Sequence, residues 1–299
     1  MQTCKGSLTK AQFDLLTSAL YGTLEDSALG TNEVFKELAA SGAIDGTAVT
    51  EAGRLALEPY RVKRAVIMAA GFGSRLVPIT LNTPKPLVRV HGKRIIETVL
   101  DAIVAAGIEE IVIIRGYLGE QFDQLTYRYP NLTFIDNPLY NEANNISSML
   151  FARELLENAY VLEADLLLKN PALIRPYEYS SNFLGIPVDG SDDWCFTVKD
   201  GRITSQVSNG KDCALKEGEA LYQEVGISYW SENDGKKLAR HIHEVFESPE
   251  GKNRYWDQVV FVDHAGEYDV AIRPCDFSDI VEIDSYRELV AIDGRYAVS

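Results

Sequence analysis

"VIMAAGFGSRLVPITLNTPKP", residues 66–86, packs an apolar run, a Gly-x-Gly turn, one arginine and a proline-flanked lysine into 21 positions. The run begins at RAVIMAA (64–70), and its length and lack of alternation predict a parallel strand buried on both faces. Gly71 and Gly73 let backbone N–H groups come close to an anion, and a helix starting after the turn would add partial positive charge. Arg75 and Lys85 stand where they can neutralise further phosphate charge. No Gly-Lys-Ser/Thr follows, so this is not a Walker A loop. The third glycine of a dinucleotide fingerprint is also missing, and Pro78 and Pro84 interrupt any long helix. Taken alone, the turn is compatible with a phosphate cradle and with an ordinary strand-to-helix connection.

Outward from this stretch, strand and helix alternate. KRIIETVLDAIVAAG carries one apolar stripe at helical period and ends on Gly107. EEIVIIRGY is a second buried strand, followed by a helix through Glu120–Tyr127, a strand at LTFID, a helix from Asn145 through Leu156 and a strand at AYVLEAD. Such alternation predicts an α/β fold with a doubly wound, mostly parallel sheet. From Phe183 onward the pattern becomes hairpin-like, with an Asp-Gly turn in VKDGRI. In such sheets ligands bind at the carboxyl ends of the strands, which brings Asp165, at the end of YVLEAD, next to the Gly-x-Gly turn. Asp165 there suits either a Mg²⁺ ligand or the N-cap of a following helix. In VEIDSYREL, Ser285 and Glu288 have capping-box spacing, which leaves Asp284 free for other work.

Composition sets limits on partners. An apolar share of 46% and a charged share of 24% are those of a globular protein. No run approaches the length of a membrane span, and the start lacks the layout of a secretory signal. Cys4, Cys195, Cys213 and Cys275 are far apart, which argues against a disulfide framework and fits a reducing cytoplasm. His241 and His243 diverge if helical, so a solvated face is expected of them rather than a metal site. With 29 basic against 44 acidic residues and a net charge of −15, nucleic acid and anionic membranes are poor partners.

Two domains are expected, 1–60 and 61–299. In the first, Thr9 and Gln12 form a capping box, and a second helix is capped by Thr31 or Asn32 and stopped at Gly42. GAIDGTAVTEAGRLALEPY then reads as a small β-wing with a closing helix. The layout resembles a winged-helix domain. Its four basic and eight acidic side chains oppose DNA binding and favour docking, dimerisation or regulation of the body.

The complete string MAAGFGSRLVPITLNTPKPLV resembles the signature loop of nucleotidyltransferases that build sugar- and choline-type nucleotides. The resemblance implies a Rossmann-like, nucleotide-diphospho-sugar transferase fold. It implies that Ala69, Ala70, Gly71, Phe72, Gly73 and Ser74 wrap the nucleotide, that Arg75 and Lys85 hold the triphosphate, and that Asp165 and Asp284 bind Mg²⁺. Base selection is expected around Ala69–Gly71, Gly116, Tyr117 and Asn144. The order of GYLGEQFDQL, NNISSML, the tryptophan after Asp-Asp, GISYW, YWDQVV and EIDS further resembles bacterial CTP:phosphocholine cytidylyltransferases. A cage of Trp194, Tyr255, Asp257 and Glu282 would then hold a trimethylammonium group. The reaction so implied is Mg²⁺-assisted transfer of CMP from CTP to phosphocholine. Alternatives are a 2-aminoethylphosphonate cytidylyltransferase, a sugar-1-phosphate nucleotidyltransferase, and a nucleotide-responsive regulator without activity.

Overall fold

The computed structural model describes residues 8–24 and 32–297, so Cys4 and the Thr31 cap lie outside the described residues. The chain divides into two compact units, one of Met1–Val62 with Tyr177–Tyr179, the other of Lys63–Pro176 with Ser180–Ser299.

The first unit holds α1 (Lys10–Leu20), α2 (Glu33–Ala40), the hairpin β1 (Ile44–Asp45) and β2 (Ala48–Val49), and α3 (Glu51–Leu57). The Thr9–Gln12 capping box is present, Asn32 caps α2, and Gly42 ends it at φ +72°. Phe13, Leu16, Leu38, Ile44 and Leu57 form its core. Gly53 lets α3 lie against the hairpin, since a Cβ there would stand 2.2 Å from the Ala43 carbonyl oxygen. The segment Tyr177–Tyr179 also belongs here, a distant stretch that a boundary at residue 60 does not include. Its Tyr179 ring stacks on Tyr60 at 5.4 Å, and the Glu178 N–H donates to the Tyr60 carbonyl at 2.9 Å.

The second unit is built on β3 (Arg64–Ala69), a small ribbon of β4 (Arg89–Val90) and β5 (Lys93–Arg94), α4 (Ile95–Ala105), β6 (Glu110–Arg115), β7 (Leu132–Asp136), α5 (Ile146–Ala152), β8 (Ala159–Glu163) and β9 (Leu166–Leu168). There follow β10 (Asn182–Pro187), β11 (Cys195–Lys199), β12 (Arg202–Val207), β13 (Glu219–Trp230), α6 (Glu232–Phe246), β14 (Ala271–Pro274), β15 (Ile280–Glu282) and α7 (Tyr286–Ile292). Nine strands form one sheet in the order β10-β14-β12-β11-β13-β8-β3-β6-β7. The block β8-β3-β6-β7 is parallel, as the βα alternation requires. Beyond β8 the sheet is mixed and largely antiparallel, so "mostly parallel" describes only one half. The reason is loop length. Asp200 and Gly201, both at positive φ, make a tight turn that can join only antiparallel neighbours.

Two expected helices differ in detail. Residues Gly119–Tyr127 wind as a 3₁₀ helix, and α5 gives way to a 3₁₀ turn at Arg153. Trp230 and Trp256 are core residues, packed with Phe183, Phe196, Leu238 and Ile242. His241 and His243 do diverge, yet only His243 is exposed; His241 is buried. No helix among the described residues is long and apolar enough to cross a membrane.

Candidate active site

The end of β3 runs into the Gly71–Phe72–Gly73 loop. Gly73 is at φ +63°, and a Cβ there would meet Lys85 Cβ at 2.8 Å, so glycine is needed for backbone and space alike. Gly71 is different: nothing lies within 4 Å of its would-be Cβ, which faces open space. No α-helix follows the turn. Ser74–Leu76 is a single 3₁₀ turn and α4 begins only at Ile95, so the expected helix dipole is absent from this loop. The loop is braced from outside instead. Thr80 Oγ1 donates to the Gly73 carbonyl at 2.8 Å, and the Tyr117 N–H donates to the Ala70 carbonyl at 3.0 Å. Gly116 permits that approach, since a Cβ there would stand 2.9 Å from Ala70 O. Gly116 and Tyr117 therefore support the loop from behind, while Ala70 through Arg75 line the cavity itself. The Phe72 ring packs on Tyr117 and Tyr140.

Lys85 links the loop to the acids. Its ammonium lies 2.7 Å from Asp165 Oδ2 and 2.9 Å from Asp284 Oδ1. Burial pulls its pKa down, but the two carboxylates outweigh this and hold it above the ordinary lysine value. Arg75 reaches Asp284 Oδ1 at 2.7 Å from an exposed position at the mouth. Asp165 is not a helix cap, because β9 begins at the very next residue. The Asp284 carboxylate takes no part in the helix cap, as expected: Ser285 and Glu288 make the capping box of α7.

The sequence reading passed over Glu163. Strand β15 pairs with β9, so that Glu163-Ala-Asp165 and Glu282-Ile-Asp284 lie side by side, each pair of acids two residues apart. That repeated Glu-x-Asp spacing at two strand ends was the available signal. Carboxylate oxygens of Glu163, Asp165 and Glu282 fall within 4.8 Å of one another. Burial first, then the neighbouring Asp165, lift Glu163 to about 8 and Glu282 well above the carboxylate range. Asp165 Oδ1 is buried without a hydrogen-bond partner. This is a hard-oxygen donor set with an unused lone pair, and a divalent cation such as Mg²⁺ fits it.

The same cavity, about 760 Å³, extends to a second wall formed by β13 and the segment around Tyr255. Trp194 and Tyr255 face each other at 5.7 Å and 60°. Asp257 is buried and accepts a hydrogen bond from Gln206 Nε2, which also donates to Glu224 Oε2 at 2.7 Å. Burial raises the pKa of both acids, the neighbouring Asp257 adds to the rise at Glu224, and the Gln206 hydrogen bonds oppose it at both. Gln206 and Glu224, unnoticed in sequence, belong to this wall. Asn144 lines the cavity, its side chain held by the Asn253 carbonyl at 3.1 Å. Asn137, also missed, lies beneath it and donates to Ser147 and Ser148.

A family model described as "Nucleotidyl transferase" matches residues 64–176. A 2-aminoethylphosphonate cytidylyltransferase of Lancefieldella rimae is 39% identical over 235 residues, covering 78% of this chain and 92% of that protein. A choline-phosphate cytidylyltransferase of Streptococcus pneumoniae is 34% identical over 232 residues, covering 77% and 97%. The solved structure of a CTP:phosphocholine cytidylyltransferase from Streptococcus pneumoniae superposes with a TM-score of 0.70 at 32% identity, over 79% of this chain and 100% of that one.

Proposed function

The chain belongs to the nucleotidyl transferase family, and from that premise we propose that it transfers CMP from CTP to a small acceptor with a phosphonate or phosphate at one end and a primary ammonium at the other, of the 2-aminoethylphosphonate type. The carrying observation is the make-up of one cavity. The glycine loop and Arg75, with Lys85 beneath, form one side, and Asp257 and Glu224 with the rings of Trp194 and Tyr255 form the other. A primary ammonium needs directional carboxylate acceptors, whereas a quaternary one is held best by several aromatic faces. Trp230 and Trp256 are core residues and supply no such face.

The acceptor oxygen is already ionised at neutral pH, so it attacks the α-phosphorus of CTP in line without a protein base, and pyrophosphate leaves. Lys85 and Arg75 neutralise charge that spreads over the phosphate oxygens, and the loop amides orient them. Asp165, Asp284, Glu163 and Glu282 would hold Mg²⁺, which when bound supplies further charge neutralisation at the phosphates. Asp257 and Glu224, positioned by Gln206, receive the ammonium, and Trp194 with Tyr255 cover its methylenes.

Phosphocholine is the second reading, supported by the Trp194–Tyr255 pair and by the pneumococcal choline-phosphate relative and solved structure. A pyrophosphate-release panel crossing CTP, UTP, GTP and ATP with 2-aminoethylphosphonate, phosphoethanolamine, phosphocholine and sugar 1-phosphates separates them. CTP with the primary-ammonium acceptors is expected to lead by about 10-fold or more in kcat/KM, worth about 1.4 kcal/mol. Phosphocholine leading instead would move the assignment to the second reading.

A further inference from the structure

The chain from the end of β7 into α5 supplies the uncharged part of the cavity wall. Between 137 and 148 only asparagine, tyrosine, alanine and serine side chains line it, whereas every acid and Arg75 come from elsewhere. The stretch adjoins the glycine loop, since the Tyr140 ring packs on Phe72 at 5.4 Å. Its hydrogen bonds leave one loose end. The Leu139 N–H donates to Asn137 Oδ1 at 2.9 Å, which fixes that amide and turns its Nδ2 towards two serines. Nδ2 donates to Ser147 Oγ at 2.9 Å and to Ser148 Oγ at 3.1 Å, so both of its protons are committed and both hydroxyls act as acceptors. Ser147 passes its own proton to the Asn144 carbonyl at 2.8 Å. Among the described residues the Ser148 proton has no acceptor, although Ser148 is only 4% exposed and lines the cavity. Asn144 is placed differently: its Oδ1 accepts from the Asn145 N–H and its Nδ2 donates to the Asn253 carbonyl.

We infer that Ser148 reads the base of the nucleotide, its hydroxyl donating to N3 of cytosine, with Asn137 as the positioning residue that holds it as a donor. The inference rests on the cytidylyl reading above. With the triphosphate on the glycine loop and Arg75, the neutral ring falls to the neutral stretch beside them. On its pairing edge cytosine offers a bare N3, where uracil carries N3–H. A serine hydroxyl ordinarily serves either partner by rotating. Here Asn137 already fills one Oγ lone pair, and the remaining unmet need is an acceptor for the proton. Uracil would meet only the second lone pair and would leave a buried proton unpaired, which costs about 5–150-fold in affinity.

The test is calorimetric titration of the full-length protein with CTP and with UTP, at saturating Mg²⁺ and without any acceptor, so it does not depend on which acceptor is used. The parent protein should prefer CTP. Ser148→Ala should shrink that preference by about 5-fold or more, and Ser148→Thr, which keeps the hydroxyl, should retain it. In Asn137→Asp a carboxylate oxygen replaces Nδ2 and takes the Ser148 proton, so the hydroxyl faces the ring as an acceptor and the preference should move further towards UTP. Inorganic tripolyphosphate should bind the parent and Ser148→Ala equally. Should Asn137→Asp misfold, the two Ser148 variants decide alone. A CTP preference left intact in Ser148→Ala, or in folded Asn137→Asp, would overturn the inference and leave the cytidylyl reading standing. A parent protein that does not prefer CTP would overturn both.

Discussion

A methyl group at Gly226 has no room. Its Cβ would stand 2.6 Å from Glu163 Oε2, 2.7 Å from Cγ and 2.8 Å from Cδ. The register that pairs Ile227 with Leu162 sets Gly226 opposite Glu163, so this crowding is built into the sheet. The backbone at Gly226 is not in the left-handed region, so Gly226→Ala carries no φ penalty and its effect is steric. Overpacking ordinarily costs about 1–3 kcal/mol, and Glu163 can relieve it by rotating towards the cavity, which places the cost at about 1 kcal/mol. For a unit of this size that lowers Tm by about 2–4 °C. The catalytic effect should be larger. A carboxylate moved out of a donor set costs about 10–100-fold in cation affinity, so the Mg²⁺ concentration for half-maximal pyrophosphate release should rise by that factor. A double-mutant cycle isolates the route: Gly226→Ala added to Glu163→Ala should cost almost nothing further. Additive losses, or an unchanged Mg²⁺ requirement in the single variant, would refute the role given to Glu163.

Lys85→Met should reduce kcat by about 10²–10³-fold, the usual cost of removing one charge-stabilising donor, read by pyrophosphate release at saturating substrates. It should also lower the unfolding free energy by about 2 kcal/mol, less than the roughly 3–5 for a fully buried pair because Asp165 and Asp284 retain some solvent access. Trp194→Ala should raise KM for a quaternary acceptor by about 5–30-fold and for a primary amine by less, and equal losses for both would remove any cation–π role. Asp293 is held far below the carboxylate range by Arg295 and then by the His91 N–H. Its stabilisation is therefore complete above the unfolded-state pKa of about 3.9 and is lost as pH falls through the lower folded value. Asp293→Asn should melt earlier than the parent protein at pH 7, with the gap narrowing below about pH 4.

The parallel half of the sheet was legible because its strands are continuous apolar runs and its helices carry apolar stripes, patterns that local periodicity records. The Asp200–Gly201 turn and the Thr9–Gln12 box were legible for the same reason, since each is closed within four residues. Lys85, Asp165 and Asp284 could be picked out by their places at strand and loop ends. What brings them within 3 Å is the β9–β15 pairing, a contact more than a hundred residues apart in sequence, and no spacing encodes it. Glu163 was missed although its spacing matched that of Glu282, because a glutamate at the end of an apolar strand also reads as ordinary alternation. Trp230 and Trp256, which the expected cage leaves out, also stand beside acids and a tyrosine, and Phe183 packs against both rings. Composition alone does not tell a cage wall from a core.

The cavity's charge explains how a polyanion is admitted to a protein of net charge −15. Seven carboxyl groups line it, from Glu163, Asp165, Asp193, Glu224, Asp257, Glu282 and Asp284, and burial drives Glu163, Glu224 and Glu282 towards the neutral form until a cation meets them, while Arg75 at the mouth and Lys85 beneath the loop are the cations at hand. Lys85 is already committed to Asp165 and Asp284. A triphosphate entering without a divalent cation would find Lys85 already occupied by Asp165 and Asp284, and an acceptor carrying only its phosphate would bring nothing to pair with Asp257. Under the proposed function each substrate brings positive charge to a different part of the wall: a cation near Asp165, and a charged nitrogen near Asp257. Discrimination then comes from repulsion as much as from attraction. A sugar 1-phosphate, which has hydroxyls where this wall offers acids, leaves Asp257 and Glu224 uncompensated and should be a poor acceptor even though the nucleotide loop would tolerate it. Asp257→Asn lowers that barrier. It should therefore weaken aminoalkyl acceptors while leaving sugar 1-phosphates no worse, an inversion that loss of packing alone does not produce.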